Sequence, residues 1–504
     1  MPARAQPPAP PADDCDVDVF GEQLCASIEA LGIVVASVCE EASLPVCTLA
    51  DPDVSDPAAM TAFEASWVAR ALRLQHHLDD AVPLAQALVP HTHNSYNSTA
   101  YPLALSNLDP NQRYTVTDQL RMGMRGIELD LHWVNGAVVL CHGESVELAP
   151  DLTVHVGCSL DRPLADGLAE LRAWLTAPGN TDEFVVLYLE NQLEDDPAAH
   201  DQAAAVIERE IGGLVIRPPA GQPCAPMPLD ETQTDLSAGG GRVLIVGNCG
   251  PAGWGTWVHE RGDRWDERSN RDGYPSFPAC AAEREALAYD DNWIRVYEDS
   301  TWLSTTAGAG STITVEEVRA MVRCAVDMVG FDRLTPTDPR LEALNWSWAP
   351  DEPSGSPGLE CAVRGTDGRF RAAACDEERA FTCRADDGSW LVTDETGPWT
   401  DGEAACATVG ATFAVPPNGW ENERLASTLT GADPRRAEPW LAYASIDGGW
   451  TVGPAAGAMA TGSTLTPAEE RRRSLPATGT AVPLGLAGLL VGVATLARLV
   501  RYGT

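Results

Sequence analysis

Arg125-Gly126-Ile127-Glu128-Leu129-Asp130-Leu131 is the stretch on which the reading of the chain turns. It reads as a buried strand in which the acidic positions are i and i+2, so Glu128 and Asp130 point to the same side. Six further runs are short and β-rich: Ala87–Pro90, Ala137–Cys141, Phe184–Glu190, Arg242–Val246, Trp293–Tyr297 and Met328–Phe331. Helical stretches at Leu164–Leu175, Ala198–Ile211 and Thr314–Val326 lie between some of them. Near-continuous apolar strands alternating with helices predict an α/β fold, a parallel sheet covered on both faces. Residues 88–337 match the ~250 residues typical of a closed TIM-type barrel. A doubly wound sheet is the alternative, but no Gly-rich dinucleotide loop follows the first strand. Within 58–87, Phe63, Trp67, Ala71, Leu74 and Leu78 fall on one face of an amphipathic helix, expected to pack on the barrel.

Composition narrows the function. The 504 residues carry 34 basic and 73 acidic side chains, a net charge of −39, and every basic one is Arg. A chain with no Lys has no Walker-type phosphate loop, no Schiff base and no Ser-Lys hydrolase. Such acidity argues against nucleic acid as a partner and suits a divalent cation. The 14 Cys include no CxxC pair, which favours disulfides and an oxidising compartment over a zinc ribbon.

Four polar segments stand at the C-terminal ends of predicted strands: His91-Thr92-His93-Asn94-Ser95-Tyr96, Glu128-Leu129-Asp130, Cys141-His142-Gly143-Glu144 and Tyr188-Leu189-Glu190-Asn191. In a parallel barrel those ends converge on one face, where catalytic groups sit. Two carboxylates aimed at one interior spot are costly unless a cation or a basic group joins them. Without Lys, the cation is the favoured answer, and Glu190 and the Asn94 amide would complete an oxygen shell. That set suits Ca²⁺, with Mg²⁺ the second choice. His93 and His142 supply two imidazoles able to exchange protons near neutral pH. His91 reads as structural, and His76 and His77 as solvated on the upstream helix.

The segments Thr92–Tyr96 (THNSY), Arg125–Asp130 (RGIELD), Val138–Glu144 (VVLCHGE) and Leu187–Asn191 (LYLEN) resemble, in order and spacing, the X region of calcium-dependent phosphatidylinositol-specific phospholipase C. The resemblance implies a barrel in which His93 and His142 are catalytic and Asn94, Glu128, Asp130 and Glu190 bind Ca²⁺. It implies cleavage of a phosphodiester in an inositol lipid or related substrate. The family's phosphoinositide-cleaving members carry Lys after the fifth predicted strand. Here Val243–Cys249 has none, so plain phosphatidylinositol or another phosphodiester is expected. Glycerophosphodiester phosphodiesterases share the E-x-D and HG features but begin with His-Arg, where this chain has His93-Asn94. A non-catalytic surface adhesin is the alternative from another class.

Residues 340–453 are richer in Trp, Gly and Cys. Asn345–Pro353 and Ala380–Arg384 resemble the second half of a C-type lectin domain, and Trp399 through Ala442 the first half, so a circularly permuted, small α+β domain is expected. That resemblance implies disulfides Cys361–Cys375 and Cys383–Cys406, and a glycan or protein ligand. Its calcium-binding motifs are altered: Glu352-Pro353-Ser354 replaces Glu-Pro-Asn. Residues 454–474 read as a linker. In 475–504, Leu475-Pro476-Ala477-Thr478-Gly479 precedes an apolar stretch and two arginines, Arg498 and Arg501. This resembles an LPxTG sorting signal, implying sortase as a partner and covalent attachment to a cell wall. A plain membrane-spanning helix is the alternative. Residues 1–57 read as a Pro/Ala-rich then Cys-containing lead-in. Export is expected, with a signal peptide upstream of Met1.

Overall fold

A computed structural model describes residues 56–453, apart from 102–109, 143, 150–151, 157–161, 194, 252, 271–272, 287–290, 302–309, 430–433 and 447–448. The expectations for the lead-in up to residue 55, the linker and the sorting signal lie outside the described residues. Among the described residues no helix is long and apolar enough to cross a membrane.

Among the described residues, twelve strands make up the first part: β1 (His91–Thr92), β2 (Gly126–Val134), β3 (Ala137–Leu140), β4 (Glu144–Ala149), β5 (Leu152–Val156), β6 (Val185–Gln192), β7 (Val215–Ile216), β8 (Val243–Gly247), β9 (His259–Glu260), β10 (Trp265–Ser269), β11 (Trp293–Tyr297) and β12 (Met328–Phe331). The main sheet runs β10-β11-β12-β1-β2-β6-β8, and β7 and β9 both pair with β8. All its pairings are parallel except β2–β3. β4 and β5 form a separate antiparallel hairpin.

The expected closed barrel is corrected to a curled, open sheet: among the described residues β10 pairs with neither β7 nor β9. The β8 edge is covered only by two two-residue strands, too short to carry a ladder across the gap. The opposite edge strand, Trp-Asp-Glu-Arg-Ser, is half-buried along its length. Its charges suit an edge better than the middle of a sheet.

Alternation decides what each strand offers. Ile127, Leu129 and Leu131 of β2, with Val185, Leu187 and Leu189 of β6, face outward and pack on Leu168, Leu171, Ala203 and Ile207 of the helices Leu164–Leu175 and Pro197–Ile211. Val186, Leu244, Val246, Trp293 and Met328 fill the interior below the site. Each such buried side chain stabilises by roughly 1.5–3 kcal/mol. Above this layer the inward positions turn polar.

The predicted upstream helix is two, Pro57–Glu64 and Trp67–Asp79, broken where Ser66 caps the second by accepting from Ala69 N at 3.2 Å. His76 is corrected from solvated to largely enclosed: its side chain is 14% exposed and lies 3.6 Å from Asp79. Buried Gln75 donates to Leu344 O and accepts from Trp346 N at 2.9 Å, stitching this helix to the chain beyond the last barrel strand.

That later segment adds two antiparallel sheets. β13 (Cys361–Arg364), β14 (Phe370–Ala373), β18 (Trp440–Ile446) and β19 (Gly449–Val452) form one, and β15 (Thr382–Arg384), β16 (Trp390–Val392) and β17 (Thr412–Phe413) the other. Disulfides join Cys361 to Cys375 and Cys383 to Cys406. Its Trp348, Phe370 and Tyr443 share one core with Phe63 and Leu72 upstream and Val329 and Phe331 of β12. The separation at residues 338–340 read from the sequence is thus one of chain order. The described residues on either side belong to a single compact unit.

Two glycines make room for the site's floor. A Cβ at Gly126 would stand 2.4 Å from the His91 Cβ, and one at Gly330 2.4 Å from His91 Nε2 and 2.8 Å from the Tyr297 Cβ. Overpacking of this kind costs typically 1–3 kcal/mol. Gly330→Ala is therefore expected to lower unfolding stability by about that much in a denaturant titration, and an unchanged midpoint would contradict this packing.

Candidate active site

The strand registers bring the predicted groups together. β2 and β6 pair in parallel with Glu128 opposite Tyr188 and Asp130 opposite Glu190, so two carboxylates become cross-strand neighbours at the C-terminal end of the sheet. Oxygens of Glu128, Asp130 and Glu190 lie within 4.8 Å of one another, with Glu128 and Asp130 buried. Like charges placed this way repel. Burial pushes all three carboxyls up from their usual range. Asp130 adds to this at Glu128, Glu190 at Asp130, and Glu128 at Glu190.

Among the described residues, one cationic side chain is bonded to Glu128, and no sequence motif singles it out. Arg295, in the middle of β11 and 2% exposed, donates from Nη2 to Glu128 Oε2 at 2.5 Å and pairs through Nη1 with Glu267 at 2.8 Å. Its guanidinium lies 4.8 Å from the Tyr188 ring and 4.4 Å from the Tyr297 ring. Its Nε donates to His91 Nε2 at 3.3 Å, and the other His91 nitrogen, Nδ1, is 3.2 Å from Thr92 O. Burial and then Arg295 depress the His91 pKa well below 6.5, so His91 is neutral and structural. A signal for Arg295 was present: it shares the inward parity of Trp293 and Tyr297 within an apolar strand.

His93 follows β1 and is 7% exposed. Its Nδ1 lies 3.2 Å from Asp332 Oδ1, just beyond β12. Burial opposes its charge, but Asp332 and then Glu128 outweigh burial and raise its pKa to about 9. Asp332 also accepts from Asn111 Nδ2 at 3.1 Å and from Ser300 N at 2.8 Å. Glu298 holds the Asp332 amide at 2.5 Å and is itself paired with Arg340 at 2.7 Å. Asp332 obeys the rule that found the other groups, standing where a strand's C-terminal end opens, whereas nothing local marks Asn111.

His142, by contrast, has a side chain 42% exposed. Its Nδ1 lies 3.4 Å from Asp130 Oδ2 and 2.8 Å from Asn94 Nδ2. Burial lowers its pKa, yet the hydrogen bond and charge of Asp130 prevail and raise it. Asn94 adopts a φ of 45°, a left-handed conformation that Asn tolerates better than most residues. Its Oδ1 stands 3.1 and 3.0 Å from the two Asp130 oxygens, where no hydrogen lies between them.

All six residues expected to be catalytic or metal-binding therefore sit in one cluster. A cavity of about 180 Å³ opens on the side of the cluster formed by His93, Glu128 and Glu190, where Arg261, Arg295 and Tyr297 also border it. Arg261 is steadied at the rim by Asn248 Oδ1 at 2.8 Å and the Tyr188 hydroxyl at 2.7 Å.

A histidine pKa of about 9 against ~6.5 unfolded makes a pH prediction for the cation-free protein. The stabilisation from His93 is complete below about 6.5 and is lost as pH rises through about 9. Asp332→Asn is expected to move the His93 imidazole titration, followed by NMR, toward 6.5. An unmoved titration would remove Asp332 as its partner.

Comparison with known proteins follows the same outline. The family model described as "Rv2075c PI-PLC-like domain" matches residues 49–338. Two Mycobacterium tuberculosis proteins, Rv2075c of strain H37Rv and MT2135 of strain CDC 1551, are each 36% identical over 445 residues, 83% of this chain and 90% of theirs. Among solved structures, phosphatidylinositol-specific phospholipase C from Listeria monocytogenes is 15% identical, with 54% of this chain and 98% of that chain covered and a TM-score of 0.35. A pentafluoro-Phe-incorporated enzyme of that name from Staphylococcus aureus is 12% identical, with 55% and 98% covered and a TM-score of 0.39. The cluster at the mouth of the curled sheet thus lies within residues 49–338, and over them the chain belongs to the Rv2075c PI-PLC-like domain family.

Proposed function

We propose that the protein is a cation-assisted phosphodiesterase of the phospholipase C type, acting on phosphatidylinositol or a related phosphodiester. The observation that carries the reading is the joining of two imidazoles to three carboxylates at one strand-end cluster, with the Asn94 amide against Asp130. The donor set fits a hard cation. Its carboxylate oxygens lie within 4.8 Å of one another, and like charges gathered this way are relieved by a positive ion between them. Among the described residues, both hydrogen bonds to the Glu128 carboxylate fall on Oε2, from Asn94 N and from Arg295, and none falls on Oε1. Asn94, Glu128, Asp130 and Glu190 would hold the ion, with Ca²⁺ preferred over Mg²⁺.

The division of labour follows from the two imidazoles. His93, held by Asp332, takes the proton from the attacking hydroxyl as its oxygen bonds to phosphorus. His142, more exposed, delivers a proton to the leaving alkoxide as the opposite P–O bond breaks. Bound at the carboxylates, the cation would offset the phosphoryl charge and the carboxylate field that keeps His93 protonated. Arg295 keeps Glu128 in place and, between its two tyrosines, borders the cavity that would receive the head group.

Outside this site, the lectin-like resemblance of 340–453 supports a role in holding a glycan or protein surface. That of 475–504 supports export and sortase attachment between Thr478 and Gly479. Mass spectrometry of wall-released protein is expected to find a C-terminus at Thr478, and an intact Thr504 would favour a plain membrane anchor.

Phosphatidylinositol and glycerophosphoinositol, assayed with Ca²⁺ and with excess chelator, test the activity. Turnover that chelator abolishes is expected, and no turnover on any phosphodiester would support a non-catalytic adhesin. His142→Ala should cost roughly 10²–10⁴-fold on a substrate with a poor leaving group. Retention of most activity there would end its assignment as the acid.

A further inference from the structure

An amide side chain has an oxygen face and a nitrogen face, and only one of them can help bind a cation. Which face Asn94 turns to Asp130 is therefore a functional matter, and the surrounding hydrogen bonds decide it. The chain of constraint begins at Asp332, whose carboxylate only accepts. Asn111 donates to it from Nδ2 at 3.1 Å, so the Asn111 oxygen must point the other way. That oxygen accepts from Asn94 Nδ2 at 3.1 Å and from Asn97 Nδ2 at 2.8 Å. With its nitrogen so engaged, Asn94 has only its oxygen left for Asp130, at 3.1 and 3.0 Å.

The opposite orientation satisfies Asp130 and gives the His142 Nδ1–H an oxygen to meet at 2.8 Å, but it breaks the bond to Asn111. Turned over, Asn94 would donate to Asp130 but set its oxygen against Asn111 Oδ1. Asn111 could then recover only by turning its own oxygen onto Asp332. Asn111 is not free to drift. It is fully buried, its N–H bonds to Asn97 O at 3.0 Å, and its carbonyl accepts from Arg333 N at 2.7 Å.

We infer that Asn111 is a positioning residue that fixes the polarity of the Asn94 amide, holding its oxygen toward Asp130 as a cation ligand. The inference rests on the cation reading proposed above and adds to it a residue that touches neither the ion nor the substrate. It also links the Asp332 that holds His93 to the oxygen shell on the other side of the site. A change at Asp332 is thereby transmitted to cation affinity through two amides.

A double-mutant cycle on the full chain, read by calorimetric titration with Ca²⁺, tests this without relying on activity. Outer-shell partners of metal ligands typically contribute 10–100-fold to affinity. Asn111→Leu keeps the side-chain size and removes the polarity, and is expected to weaken Ca²⁺ binding by about tenfold or more. A carboxylate has no wrong face, so in an Asn94→Asp background the same Asn111→Leu change is expected to cost little or nothing. Asn111→Ala replaces it in the cycle if the leucine variant does not give the native near-UV circular dichroism. Equal losses in both backgrounds would make Asn111 merely structural and overturn the inference. So would binding by Asn111→Leu within twofold of the parent. Absence of Ca²⁺ binding by the unmodified protein would overturn the cation reading itself, and this inference with it.

Discussion

Three carboxylates drawn to one end of a sheet, in a chain without a single Lys, are the constraint around which the rest is arranged. Parallel pairing of β2 and β6 makes the convergence unavoidable, because Asp130 and Glu190 stand in register. Buried like charges must be answered by positive charge or by protonation. The protein answers from several directions. Arg295 binds Glu128, His142 leans on Asp130, and His93 stands protonated between Asp332 and the Glu128 field. Arg295 is in turn held by Glu267, His91 and two tyrosine rings. Gly126 and Gly330 exist as glycines so that His91 can lie where it does.

The shared core gives this arrangement its rigidity. Helix Val315–Arg323, the last barrel strand, the upstream helices and the disulfide-bonded C-terminal segment contribute to one apolar cluster. Glu298, which holds the Asp332 amide, is itself bonded by Arg340 from the helix Pro339–Leu344 that leads into that segment. The segment past residue 340 therefore buttresses the His93 side of the site through packing, whatever ligand it takes on its own account.

Legibility in the sequence followed burial. Trp293–Tyr297, Met328–Phe331 and Leu164–Leu175 have the bounds their apolar patterns give, because both strands are enclosed and the helix has one apolar face. Ala87–Pro90 is no strand. Pro90 lacks an N–H, and pairing starts only at His91–Thr92, two polar residues with no periodicity to read. β10 was invisible because an edge strand alternating Trp, Asp, Glu and Arg resembles a loop. In the site, the residues within strand-end motifs were readable as a resemblance. Asn111 and Arg261 were not, because their roles arise from contacts across 17 and 73 positions of chain.

Diffraction from crystals soaked in Ca²⁺, with an anomalous difference map phased on the protein, tests the central proposal most directly. The account predicts a peak at about 2.3–2.6 Å from oxygens of Asn94, Glu128, Asp130 and Glu190, with the Asn94 nitrogen still toward Asn111. A map with no peak among these four residues, and Asn94 turned to donate to Asp130, would contradict it.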